Sequence, residues 1–158
     1  MAKTIRRRRK EMKTDYKARF VLLKSGKARL VIRKTNKHII AEIVESHNAQ
    51  DKVIASFASY QLLDMGWPKE ASGSLKSLPA AYLTGYVLIK RLKGKVKDAV
   101  LDVGMYRNVH GSRLYAALKG ALDAGLNVPH NAKVLPSEER LKSNQKVSAL
   151  IPKIKESA

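Results

Sequence analysis

The stretch that most constrains this chain is ARLVIRKTNKHIIAEIVE, residues 28–45, in which apolar and polar residues alternate at a period of two. That period sends successive side chains to opposite faces, so the stretch reads as a β-hairpin with one face bound for a core. Taking Asn36 and Lys37 as a two-residue turn pairs Thr35 with His38 and fixes the register. A slip of one residue would turn every side chain over. Leu30, Ile32, Ile39, Ala41 and Ile43 then share the core face. Arg29, Val31, Arg33, His38, Ile40, Glu42 and Val44 share the other, which this reading leaves open. A third strand, roughly Lys52 to Ser59, follows a short loop from Ser46 to Asp51.

Downstream the period changes. Ser77 is a natural N-cap, with Pro79 in the first turn, for a helix ending near Gly94 with Leu78, Tyr82, Tyr86, Ile89 and Leu92 along one stripe. Val96 to Val103 alternates as a short strand. Ser112 is expected to cap a second helix that turns Leu114, Leu118, Ala121 and Leu122 inward and stops at Gly125. Residues 61–73 have no clear period and suggest only a short helix before Gly66, Trp67 and Pro68. The expected class is therefore α/β, in the order β-β-β-α-β-α. After Pro129 the composition turns to Lys, Ser, Glu and Asn. Ser137 with Glu138 and Glu139 can start a helical turn, but residues 131–158 are read as a basic tail lying on a partner's surface. The expected division is a basic arm (1–27), an α/β core domain (28–130) and the tail. At 158 residues one such domain can bury roughly two-thirds of its unfolded surface.

Charge narrows the function. The chain carries 32 Lys and Arg against 13 Asp and Glu, a net +19, and 15 of those cations lie in residues 1–37 beside Glu11 and Asp15 alone. An excess this large repels itself in a compact state and calls for a polyanionic partner, nucleic acid before an anionic membrane. Arg6, Arg7, Arg8, Arg9 and Lys10 should be unordered alone because like charges this close repel, and should fold when phosphates neutralise them. Together with Lys13, Lys17 and Arg19 they form a candidate RNA-binding arm, in which Tyr16 and Phe20 could stack on bases. Ile5, Tyr16, Phe20, Val21, Leu22 and Leu23 are the residues available to anchor the arm. A nuclear import signal also needs a basic run, but not Arg29 and Arg33 on a strand face.

Arg29, Arg33, Thr35, Asn36, Lys37 and His38 make a second candidate patch near the hairpin tip. A charged strand face is often merely solvated. This one also carries Val31, Ile40 and Val44, which ribose and base surfaces cover better than water does. The loop GMYRNVHGS, residues 104–112, leads into a helix N-terminus that favours an anion, with Arg107 and Arg113 adding charge. Its spacing matches neither a P-loop nor the GxGxxG fingerprint.

Catalysis finds little support. The four histidines, His38, His47, His110 and His130, lack metal-ligand spacing. Asp98 and Asp102 fall on one side of a strand without the further carboxylates a metal-dependent nuclease needs. No cofactor and no small-molecule substrate are expected. An RNA-processing nuclease and a membrane-surface protein are the competing readings. The absence of Cys excludes disulfides and thiol chemistry and fits a reducing cytosol. With no apolar run approaching 18 residues, the expectation is a soluble intracellular protein with no membrane partner.

The segments RLVIRKTNKHIIAEIV, PAAYLTGYVLIKRL and AVLDVGMYRNVHGSRLYAALKGALDAGLNVPH resemble, in that order, the archaeal and eukaryotic branch of large-subunit ribosomal protein eighteen, a universal family that binds 5S ribosomal RNA. The likeness spans approximately Tyr16 to His130, and the length of the tail resembles the archaeal type. The resemblance implies three antiparallel strands, a helix, a strand and a helix, and a structural role. It implies binding to 5S rRNA, attachment of that RNA to the large rRNA in the central protuberance, and large-subunit ribosomal protein five as a partner in the cytoplasmic ribosome. By position it assigns RNA contacts to Arg6–Arg19 and to Arg29, Arg33, Thr35, Asn36, Lys37 and His38, and less directly to Arg107 and Arg113.

Overall fold

The computed structural model describes residues 7–48, 50–142 and 150–156. Its centre is a four-stranded sheet of β1 (Ala28–Lys34), β2 (Ile39–His47), β3 (Gln50–Ala58) and β4 (Ala99–Asp102), in the order β3-β2-β1-β4. β1 and β2 pair antiparallel in the expected register, with Leu30 opposite Ile43 and Ile32 opposite Ala41. The Thr35 N–H donates to the His38 carbonyl at 2.8 Å, and the Thr35 and His38 backbones are further tied through the Thr35 hydroxyl. β4 adds to β1 in parallel, Ala28 opposite Ala99. A parallel neighbour needs a long crossover, and the helical segment between β3 and β4 supplies it.

Two helices, α3 (Leu78–Arg91) and α4 (Arg113–Asp123), pack on the apolar face of the sheet. Their ends follow sequence chemistry. The Ser77 hydroxyl accepts from the Ala80 N–H, and Pro79 occupies the first turn. At the end of α4, Gly125 adopts φ 104°, its N–H donates to the Leu122 carbonyl, and Leu126 N–H reaches back to Ala121. That pair of bonds is a Schellman ending, which needs a residue tolerant of left-handed backbone. Burial on α3 is wider than one stripe, running unbroken from Pro79 to Gly85 and again from Val87 to Ile89. The cause is close helix contact. A Cβ on Gly85 would overlap the Ala117 carbonyl, and one on Gly120 the Tyr82 carbonyl, so each helix admits the other's backbone at a glycine. The Tyr82 hydroxyl closes the junction by donating to Asp123 at 2.6 Å.

Residues 59–74 hold two 3₁₀ turns, Ser59–Met65 and Lys69–Ser74. They set Leu62, Trp67 and Leu75 into the core, and the Trp67 indole N–H donates to the Ala71 carbonyl at 3.1 Å. A three-residue turn shows neither the strand nor the α-helix period, which explains why this stretch is hard to read.

The β2–β3 connection is tighter than expected, because pairing continues to His47 opposite Gln50. The third strand contains a bulge. Ile43 faces Ala55, but Val44 faces Val53, so Ile54 is an extra residue. Ile54 and Ala55 both pack toward the core, and the alternation of β3 is reversed on its first half, so that Val53 and Asp51 join the Arg29 face.

The segment from Asn131 departs from the expected surface tail. A 3₁₀ turn (Ala132–Val134) leads to α5 (Glu138–Lys142) and α6 (Leu150–Glu156). Leu141 and Ile154, the latter 1% exposed, belong to the main core cluster, and both helices pack on α3. The Lys155 ammonium lies 4.9 Å from the ring centres of both Tyr82 and Tyr86. Val134, Leu135, Leu150 and Ile151 pack against the same cluster, and together these residues return the segment to the chain's own core.

Candidate nucleic-acid interface

The arm contains two helices, α1 (Arg7–Lys10) and α2 (Tyr16–Lys24), neither with a buried residue. Within the basic run expected to be unordered alone, Arg7–Lys10 form one helical turn. Glu11 lies 3.8 Å from Arg7 and 2.9 Å from Lys13, and Arg8 donates to the Thr14 hydroxyl at 2.9 Å. These contacts offset part of the mutual repulsion. Arg6 and Ile5 lie outside the described residues. Asp15 caps α2 by accepting from the N–H groups of Lys17 and Ala18. Of the apolar residues expected to anchor the arm, Tyr16, Leu22 and Leu23 are half-buried, whereas Phe20 is 68% exposed and Val21 is similarly open. Arg19 fixes α2 to the sheet through Asp51, at 2.7 Å.

Arg29 requires a correction. It stands on the expected face, but only 2% of it is exposed, so it does not offer an open cation. Its guanidinium donates to Asp102 at 2.8 Å, to Asp51 at 2.7 Å and to the Ser46 hydroxyl at 3.0 Å. The bulge in β3 and the parallel addition of β4 bring these carboxylates together, and the sequence pattern showed neither. Partial burial pushes the Asp51 carboxyl up, but hydrogen bonds from Ser46, Arg19 and Arg29 outweigh it and pull the pKa down to about 2. Val31 and Val44 are buried on this side as well.

The remaining hairpin residues do meet solvent. Arg33, Lys34, Thr35, Asn36 and Lys37 are exposed and His38 is half-buried. Arg33, Lys34 and Lys37 enter none of the ion pairs among the described residues. Two tyrosines that the sequence reading did not select flank them. The Tyr60 ring meets His38 edge-on, centres 5.6 Å apart. The Tyr106 hydroxyl donates to the Lys34 carbonyl at 2.5 Å and accepts from its N–H at 3.2 Å, continuing the sheet edge beyond β4.

The loop into α4 divides. Arg107 is exposed on the Tyr106 side, while Arg113 is half-buried. Ser112 occupies the cap position without a side-chain cap bond. Gly111 donates to the Val134 carbonyl, and the Arg140 guanidinium lies against it. The C-terminal segment thus borders the place where a phosphate was expected. Asp98 accepts from the Asn127 amide at 2.7 Å and Asp102 is held by Arg29, so the two strand carboxylates face protein partners rather than each other. Among the described residues no helix is long and apolar enough to cross a membrane, and no group of three potential metal ligands converges.

Comparison with known proteins places these features in a family. The family model for ribosomal large subunit proteins 60S L5 and 50S L18 matches residues 2–99 and 93–131. Large ribosomal subunit protein uL18 of Korarchaeum cryptofilum is 46% identical over 151 residues, covering 95% of this chain and 75% of the relative. Its counterpart in Methanothermobacter thermautotrophicus is 49% identical over 137 residues, 86% of this chain and 69% of the relative. That of Methanospirillum hungatei is 44% identical over 137 residues, 86% and 76%.

Proposed function

Because this chain belongs to the family of ribosomal large subunit proteins 60S L5 and 50S L18, it is a structural constituent of the large subunit and not an enzyme, and we propose that the RNA it grips is 5S ribosomal RNA. In this reading it helps attach that RNA to the large rRNA in the central protuberance, beside large-subunit ribosomal protein five. The contacts are the arm (Arg6 to Arg9, Lys10, Lys13, Tyr16, Lys17, Arg19) and the hairpin tip (Arg33, Thr35, Asn36, Lys37, His38), with Arg107 alongside. Arg29 acts from beneath, by fixing the strand on which Arg33 stands. Arg113 is a weaker member because it is half-buried.

The observation that carries the reading is the separation of cations into two groups. Arg29 is neutralised within the fold, whereas Arg33, Lys34 and Lys37 reach solvent with no carboxylate partner among the described residues. Cations left unpaired on a rigid edge cost no reorganisation when phosphates approach, and they release counterions from the RNA. With on the order of eight phosphate contacts, the logarithm of affinity against the logarithm of salt should slope at about −6. Filter binding of the full chain to 5S rRNA across a salt series measures it, and a slope near zero contradicts the proposal.

A further inference from the structure

We propose that Tyr60 and Tyr106 form a stacking platform for unpaired RNA nucleotides, one ring at each end of the row of cations at the hairpin tip. The proposal rests on the RNA-binding reading above and adds a base-recognising element to it. Strand order produces the row. Tyr60 follows β3, His38 precedes β2, Lys34 ends β1 and Tyr106 follows β4, in a sheet ordered β3-β2-β1-β4. Four strands at ~4.8 Å spacing make that edge about 14 Å long, the span of a few nucleotides.

Each ring is oriented yet open. Tyr60 is 51% exposed, and its ring stands at 75° to that of His38. Tyr106 is 38% exposed although its hydroxyl is held by both backbone groups of Lys34, whose ammonium lies 5.8 Å from the ring centre. An aromatic ring oriented by its neighbours and still partly open to solvent loses little conformational freedom when a base stacks on its free surface. In strand order the end of β1 and the hairpin turn, carrying Arg33, Lys34 and Lys37, lie between the two tyrosines. Duplex RNA hides its base faces in its own stack, so the rings select single strands, bulges and loops, while the cations act on either form.

Fluorescence anisotropy with the full chain tests this on four probes: a ten-nucleotide oligoadenylate, an RNA duplex of equal length, heparin and 5S rRNA. Stacking is worth ~1–3 kcal/mol per base, so Tyr60→Leu should weaken oligoadenylate binding about tenfold. Tyr60→Phe, which keeps the ring, should bind as the unaltered chain does. Affinity for duplex and heparin should not change, nor should the melting temperature. Ultraviolet crosslinking of the unaltered chain should place adducts on the peptides holding Tyr60 and Tyr106, a readout that does not require Tyr106, which also ties its loop, to be replaced. Undiminished oligoadenylate binding by Tyr60→Leu overturns the platform even where 5S rRNA is still bound with a steep salt slope. An equal loss on heparin also overturns it, since heparin has no bases. Failure of the unaltered chain to bind 5S rRNA removes the underlying RNA reading as well.

Discussion

Arg29 and Arg33 occupy the same face of β1, four residues apart, yet one is enclosed by carboxylates and the other is open to water. Removing one partner of an enclosed pair leaves the other charges uncompensated. Arg29→Ala should therefore destabilise the fold by about 3 kcal/mol, a value reduced from the fully buried case because Asp51 retains solvent contact. Arg33→Ala should leave the melting temperature nearly unchanged and weaken binding to ribosomal RNA. Urea titration and filter binding of the two variants separate these outcomes. Asp51 gives a second test. Its folded pKa of about 2 lies below the ordinary carboxylate value of 3.8. Its ionised form therefore adds stability that is fully present above the higher value and is lost as pH falls through the lower one. After allowance for exposure this amounts to no more than about 2 kcal/mol. Between pH 5 and pH 2 the stability of Asp51→Asn should fall less steeply than that of the unaltered chain. The side of the strand on which Arg29 lies was legible in the sequence. Its burial was not, because its partners are 22 and 73 residues away and reach it only through pairing between strands.

Among the helices, α3 and α4 were readable from their caps and apolar spacing, since Ser77, Pro79 and Gly125 act on neighbouring backbone. Their mode of contact was not readable, because a glycine inside a helix looks like a weak point until another backbone is seen to rest on it. On an exposed helix, Gly to Ala stabilises by ~1 kcal/mol. Gly85→Ala and Gly120→Ala should do the reverse and cost about 1–3 kcal/mol each, since the opposing carbonyl cannot move aside as a side chain can. Thermal unfolding decides the matter by sign alone. The stretch 61–73 illustrates another limit. Trp67 was visible as a lone large residue, but nothing in a 3₁₀ turn repeats often enough to show which way it points. The tip of the first hairpin was found from alternation and turn position, while Tyr60 and Tyr106 were missed because each lies outside the strands whose ends it flanks.

Taken whole, the chain uses its two ends differently. Neither arm helix buries a residue, and the leading segment keeps most of its cations outside, whereas the trailing one closes over α3 through Leu141 and Ile154. Apolar content did not distinguish the two, although charge did: residues 1–27 carry 11 Lys and Arg against two acids, residues 131–158 carry six against three. Ile154→Ala should cost about 2–4 kcal/mol, as for other buried aliphatic truncations, and leave the salt slope for RNA unaltered. A segment lying only on a partner would show no such loss in the free protein, and denaturant unfolding reads the difference. The unpaired residue in β3 carries a consequence for chain length. Were Ile54 deleted, Val53 would directly precede Ala55, the partner of Ile43, the ladder would become regular, and Asp51 would still lie on the Arg29 face. A shortened β3 therefore remains compatible with the same arrangement of charges, at the loss of the Ile54 side chain from its place against the core.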